Sequence, residues 1–190
     1  MVLETVQSLK NRIIFKIYGQ FHCGIAHFQK EKDKSVFGGA LKMEIVKAKK
    51  EDLAEILLVQ HMAFRREAEE FNDFNIEPMT QTLEILEEEY KTFVFLKALN
   101  DKGKIVGSIR GYIKDGTSYI GKTLVHPDYQ GKGIGTKMIG MLEEINKAPR
   151  YEINASIRCP QNIRLYERLG YVRFKEVKTE NNGFVYLEKK

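Results

Sequence analysis

The chain has 190 residues, no tryptophan, two cysteines, four prolines and four histidines, and each scarcity removes a class of protein. Cys23 and Cys159 lie far apart, with no second Cys or His at metal-ligand spacing, so neither a disulfide framework nor a zinc site is indicated. No metal is expected, and a reducing, cytoplasmic setting is the default reading. Long apolar runs are missing too. The most apolar early stretch, Ile13 to Phe28, is broken by Lys16, Gln20 and His22, which argues against a spanning helix, a signal-peptide core and a membrane partner. The net charge of +5 is unevenly placed. Residues 1–42 hold seven Lys/Arg against three Asp/Glu, leaving 24 against 23 for residues 43–190, a balance too even to indicate a nucleic-acid surface.

What is present centres on residues 117–147. TSYIGKTLV reads as a buried strand, with Tyr119, Ile120, Leu124 and Val125 supplying its aromatic and β-branched bias, and Pro127 with Asp128 ends it. KMIGMLEEINK reads as a helix, because Ile134, Met138, Met141, Leu142 and Ile145 fall at helical spacing. Between them stands Gln130-Gly131-Lys132-Gly133-Ile134-Gly135-Thr136. A helix start carries unpaired amides and about half a positive charge, so a turn of glycines there can bring N–H groups against phosphate oxygens. A tight turn that merely needs positive φ is the alternative for any isolated GxG. The spacing is neither that of a nucleoside-triphosphatase loop nor that of a dinucleotide-binding Rossmann turn.

The stretch resembles motif A of the GNAT superfamily of N-acetyltransferases, in which a strand ending in Val-x-Pro precedes Gln or Arg, two residues, Gly, one residue, then Gly or Ala; Val125, Pro127, Gln130, Gly133 and Gly135 match. A second resemblance lies at NIRLYERLGY, similar to the motif B helix and the strand after it, with Leu165 and Leu169 facing the core, Gly170 as cap and Tyr171 opening the strand. The resemblance implies an α/β (α+β) GNAT fold: a mixed, mostly antiparallel sheet of six to seven strands, splayed between two central parallel strands and flanked by about four helices. It covers residues 43–190. Residues 1–42 stand apart as a docking arm or a mis-assigned translation start.

Along the chain, Glu44 to Ala48 reads as a first strand and Lys50 onward as a helix with Leu53, Ile56, Leu57 and Phe64 on one face. An acidic and aromatic patch from Glu67 to Asn75 comes next, and Thr80 is the expected N-cap of a second helix bearing Leu83, Leu86 and Tyr90. Thr92–Leu99, Lys104–Ile113 and the central strand form an antiparallel meander, joined at Asn100–Gly103 and Asp115-Gly116. Gly121 inside the central strand is a candidate bulge or a point of close backbone approach. Tyr151–Ile157 follows by a right-handed crossover and is therefore parallel to the central strand. Asn181-Asn182-Gly183 closes a last hairpin.

The resemblance also implies a reaction: transfer of an acetyl group from acetyl-CoA, as cosubstrate, to a primary amine within a ternary complex. Gln130, Gly131, Lys132, Gly133, Ile134, Gly135 and Thr136 would hold the pyrophosphate. Leu124 and Val125 would lie along the coenzyme, the Val125 amide steadying the thioester carbonyl. Tyr166 would protonate the leaving thiolate, a role a phenol of ordinary pKa near 10 can fill. The asparagine that many members carry seven residues before this tyrosine is Cys159 here, and Asn162, one turn before Tyr166 on its face, either takes over the bond to the pantetheine arm or caps the helix. The acceptor side points to Glu69, Glu70, Asp73 and Phe74, with a solvated helix face and plain core as the alternatives.

A lysine-like amine is neutral to only about one part in 2,500 at pH 7, so exposing its lone pair costs roughly 4.6 kcal/mol without a base or desolvation. No carboxylate lies between Thr117 and Val125, where several members keep a Glu; Glu69, Glu70, Asp73 and His126 remain open as bases. The competing reading is a non-catalytic acyl-CoA-binding or protein-interaction module of the same fold. The acceptor's identity is not legible, and a homodimer is left open.

Overall fold

Alternating and continuous apolar runs in the C-terminal three-quarters of the chain become one seven-stranded sheet. The structure, a computed structural model, describes residues 43–178 and 183–190. The expectations for residues 1–42 and for the turn at Asn181-Asn182 lie outside the described residues. In chain order the elements are β1 (Glu44–Lys47), α1 (Leu53–Phe71), α2 (Glu77–Thr80), α3 (Leu83–Tyr90), β2 (Val94–Leu99), β3 (Ile105–Lys114), β4 (Thr117–Val125), α4 (Ile134–Ile145), β5 (Arg150–Ser156), α5 (Pro160–Arg168), β6 (Val172–Lys178) and β7 (Gly183–Lys189). The strands lie in the order β1-β2-β3-β4-β5-β7-β6. Every neighbouring pair is antiparallel except β4 and β5, which α4 joins by a crossover.

Each face of the sheet buries its own apolar cluster. Ile134, Met138 and Leu142 of α4 pack on Leu96, Ile109 and Ile120. On the opposite face Ile56 and Phe64 of α1 and Leu86 of α3 pack on Phe95 and Leu124. Gly111 lets α4 come this close: a Cβ there would stand 2.6 Å from the Tyr119 carbonyl oxygen and 3.0 Å from Leu142 Cδ2. A buried polar network ties α1, α2 and α3 to β3. Arg110 donates to Gln60 Oε1 at 3.1 Å and to Gln81 Oε1 at 2.7 Å, and its Nε lies 2.7 Å from Glu89 Oε2. With both charges paired and hydrogen-bonded, the burial of Arg110 is tolerable.

The sheet opens where β4 bends. The β4–β5 ladder runs from Thr117↔Arg150 to Ile120↔Ile153 and stops, while β5 stays paired to β7 as far as Ser156↔Phe184. Between Arg110↔Gly121 and Ser108↔Leu124 the register of β3 and β4 shifts by one residue. That shift is a β-bulge, which bends a strand and increases its twist. Gly121 was the expected seat of the irregularity; the residue that takes the left-handed conformation is its neighbour Lys122, with φ of 36°. Lys122 accepts this conformation while its ammonium pairs with Glu77.

Two further expectations are corrected. The helix read from Lys50 begins as a 3-10 turn over Lys50–Asp52, and α1 then runs through Glu67–Phe71, which the sequence reading had placed beyond it. Nothing in those residues opposes a helix, and α1 ends only at Asn72, whose φ of 50° is the left-handed geometry asparagine tolerates at a helix end. The cap of α3 is Thr82, whose hydroxyl accepts from the Ile85 amide at 3.4 Å, whereas Thr80 closes α2. The five α-helices among the described residues agree with the expected count of about four, the additional one being the one-turn α2 that Glu77-Pro78 starts.

Candidate active site

The alternation of an antiparallel ladder decides which peptide groups face the opening. The His126 amide donates to the Val106 carbonyl at 2.8 Å, so Val125, opposite Gly107, turns its own N–H and C=O away from β3 toward the gap beside β5. Gln130 Nε2 donates to that Val125 carbonyl at 3.0 Å, leaving the Val125 N–H directed into the gap. Leu124 is turned the other way: its side chain sits in the α1 cluster and its register position, opposite Ser108, engages β3. Of the two strand residues expected along a coenzyme, only Val125 presents its backbone to the opening.

After β4 the chain makes a 3-10 turn at Pro127–Tyr129 and enters the glycine stretch. Gly131 and Gly133 adopt φ of 72° and 77°. A Cβ built on Gly133 would meet nothing within 4 Å, so this glycine is needed for its backbone angle rather than for space. Gly133 is the N-cap of α4 and has no side chain with which to cap it, so the first amides of the helix point outward. They border a cleft of about 250 Å³ between Val125, Tyr129, the glycine turn, Ile134, Gly135, Thr136, and Leu165 and Arg168 of α5. Open amides, a helix dipole and a guanidinium suit a diphosphate.

Lys132, the expected cationic contact, folds back on its own turn, donating to the Asp128 carbonyl at 2.8 Å with its ammonium 4.8 Å from the Tyr129 ring centroid. The cation that borders the cleft is Arg168. Sequence reading missed it because it attended to the apolar face of this helix; the available signal was its spacing, three residues after Leu165.

α5 carries Cys159, Asn162 and Tyr166 on one face, all of them buried, Tyr166 to 1% exposure. Cys159 is the N-cap position and Asn162 lies inside the first turn, so Asn162 does not cap the helix. The far end closes tightly. Tyr171 N donates to the Tyr166 carbonyl at 3.1 Å and Gly170 N to that of Glu167 at 3.0 Å, with Gly170 at φ of 90°. These two bonds make a Schellman motif. Tyr171 is no rival acid: its hydroxyl donates to Glu143 Oε1 at 2.7 Å, and burial, then that bond, push its pKa well above the ordinary phenol range.

The candidates for the acceptor side separate. Glu69 and Glu70 are exposed and pair with Arg65 and Arg66 one turn back, at 3.1 and 3.0 Å. Asp73 accepts from the Asn75 amide at 2.8 Å, forming a local turn, and Phe74 is 52% exposed. His126 Nδ1 accepts from the Asp128 amide at 3.3 Å and so caps the 3-10 turn. The residue the structure singles out is Glu67, only 8% exposed and hydrogen-bonded to the Cys159 thiol. Burial raises its carboxyl to about 8; Cys159 and Arg158 pull it down while Glu70 pushes it up. Nothing in the sequence separated Glu67 from its acidic neighbours except its helical phase, three residues after the buried Phe64. A further carboxylate reaches β4 from outside the strand: Glu77 of α2 pairs with Lys122 at the bulge. Burial pushes Glu77 up and Lys122 down, and each draws the other back.

A sheet opened between two parallel strands, with amides and an arginine at one end of the opening and a buried tyrosine alongside, defines a class of site: an α/β protein with an anion-accepting cleft at a helix start. The match to a family model gives the rest. Residues 52–171 match the acetyltransferase (GNAT) family, and the chain belongs to that family and is an acyltransferase. The fold is shared with solved structures of low identity. PaiA N-acetyltransferase from Thermoplasma acidophilum, solved in complex with coenzyme A, is 18% identical with a TM-score of 0.61, over 79% of this chain and 99% of that one. A GNAT-family acetyltransferase from Staphylococcus aureus Mu50 is 18% identical with a TM-score of 0.61, over 78% and 99%. Mutant forms of the spermidine/spermine N-acetyltransferase SpeG from Vibrio cholerae are 15% identical with a TM-score of 0.59, over 78% and 94%. A search of curated proteins finds no match.

Proposed function

We propose that the protein transfers an acetyl group from acetyl-CoA to a primary amine by direct attack in a ternary complex. The observation that carries this reading is the Val125 N–H directed into the β4–β5 gap beside an uncapped glycine-rich helix start. On this reading the amides from Gly131 to Thr136 hold the diphosphate, and Arg168 adds the cation that Lys132 does not supply. Gln130 fixes the Val125 peptide from its carbonyl side, so the amide is already oriented toward a thioester oxygen and needs no reorganisation as that oxygen gains charge. Acetyl-CoA supplies the activated acyl group. Asn162, buried one turn from Tyr166, is the candidate partner for the pantetheine amides, and Tyr166 is the candidate donor to the departing sulfur. A cytoplasmic setting agrees with Cys159 being a thiol rather than half of a disulfide.

The test is release of free CoA thiol from acetyl-CoA in the presence of a panel of primary amines: polyamines, aminoglycosides, lysine-bearing peptides, N-terminal peptides and small amino metabolites. Amine-dependent release by one class supports the reading and identifies the acceptor. Release at the amine-free rate with every class, while acetyl-CoA binds, would exclude it.

A further inference from the structure

α5 measures off the site. Its last turn, at Leu165 and Arg168, borders the cleft where α4 begins. Tyr166, Asn162 and Cys159 then follow toward its N-terminus on one buried face, and the rise of a helix puts Cys159 about 10 Å beyond Tyr166. A coenzyme seated by its diphosphate at the cleft, with its sulfur at Tyr166, presents its acyl group toward the N-terminal half of that face. There α1 delivers the carboxyl of Glu67, in hydrogen-bond contact with Cys159.

On the reading of the protein as an amine acetyltransferase, we propose that Glu67 is the group that takes the proton from the acceptor ammonium. The other acids near this side are committed elsewhere: Glu69 and Glu70 to arginines on the helix surface, Asp73 to the Asn75 amide, Glu77 to Lys122 and Glu89 to Arg110. Glu67 faces a different set, the Cys159 thiol and Arg158 from the β5–α5 connection and Glu70 from its own helix. The Arg158 guanidinium lies 3.9 Å from the Phe71 ring centroid, one turn further along α1. Burial, which holds the Glu67 carboxyl near 8, brings it within roughly 2–3 pH units of an alkyl ammonium, against about 6 for an ordinary carboxylate.

The step balances as follows. The Glu67 carboxylate accepts one proton from R–NH3+, and the freed lone pair forms the N–C bond to the thioester carbonyl carbon. The C–S bond then breaks with its electron pair on sulfur, which takes the Tyr166 proton. The amide nitrogen's surplus proton returns to the Tyr166 oxygen, and Glu67 loses its proton to solvent.

The test is the pH dependence of kcat/KM for thiol release, with an accepted amine varied at saturating acetyl-CoA. Wild-type kcat/KM rises with pH through an inflection near 8. Glu67→Gln loses at least about a hundredfold at pH 7.5 and loses the inflection, with acetyl-CoA affinity unchanged within twofold. Glu67→Asp, which keeps a carboxylate, retains an inflection and part of the rate. Cys159→Ala moves the inflection upward, because the thiol's hydrogen bond favours the ionised carboxyl. A Glu67→Gln protein that keeps the wild-type inflection, or whose lost rate only follows lost acetyl-CoA affinity, overturns the role of Glu67 while leaving acetyl transfer standing. A wild type that binds acetyl-CoA and releases no thiol with any amine overturns both.

Discussion

Tyr166 and Glu67 show how position within a helix sets the chemistry open to a side chain. Tyr166 ends a face that begins at Cys159, and the tight turn behind it holds its backbone carbonyl against Tyr171 N. Replacing it by Phe keeps the packing and removes only the hydroxyl. Turnover is expected to fall by about a hundredfold, with acetyl-CoA affinity unchanged within twofold, as read by steady-state thiol release and by titration. Turnover within twofold of wild type would remove Tyr166 from the acid role.

Glu67 also makes a stability prediction. Its carboxyl titrates near 8 when folded, against about 4.3 in an unfolded chain, so the folded state binds the extra proton. Its contribution is therefore full below about pH 4 and is lost as pH rises toward 8. Glu67→Gln, neutral at every pH, is expected to match wild type at low pH and to exceed it by up to roughly 5 kcal/mol at pH 9, as read by denaturant unfolding at the two pH values. Equal stabilities at pH 9 would show that the carboxyl is not raised. The sequence offered several acids between 67 and 73; burial, visible only once α1 is packed, distinguishes one. Arg168 escaped for the same reason, since its value depends on a cleft formed with α4, distant in sequence.

At the scale of elements, the glycine turn was legible because its demands are local: positive φ at Gly131 and Gly133 and an uncapped helix start follow from the residues themselves. The parallel placement of β5 was legible too, since a strand-helix-strand unit has one common handedness. The bulge was legible only to within a residue, at Gly121. The left-handed residue is Lys122, which no backbone rule selects, and its partner Glu77 lies on a helix that sequence periodicity did not separate from α3. The Arg110–Glu89 pair was equally hidden, because a strand arginine reads as solvent-facing until three helices cover it. Glu89→Ala is expected to cost about 3–5 kcal/mol by leaving the guanidinium buried without its partner, while Arg110→Met with Glu89→Leu is expected to recover most of the loss. Chemical denaturation of both variants checks this; a single variant within 1 kcal/mol of wild type would show that the pair contributes little.

For the whole molecule, two cores on opposite faces hold β4 from both sides and leave its C-terminal half free of β5. α4 brings its uncapped helix start from one side; α1 and α2 bring Glu67 and Glu77 from the other. The opening between β4 and β5 is where the two sets meet, and the proposed chemistry requires a coenzyme to lie in it. A crystal structure of the complex with coenzyme A tests this most directly. The diphosphate is expected within hydrogen-bond distance of the amides of Gly133 to Thr136, with the pantetheine arm between β4 and β5 beside the Val125 N–H. A coenzyme bound elsewhere on the protein, with those amides facing only solvent, would contradict it.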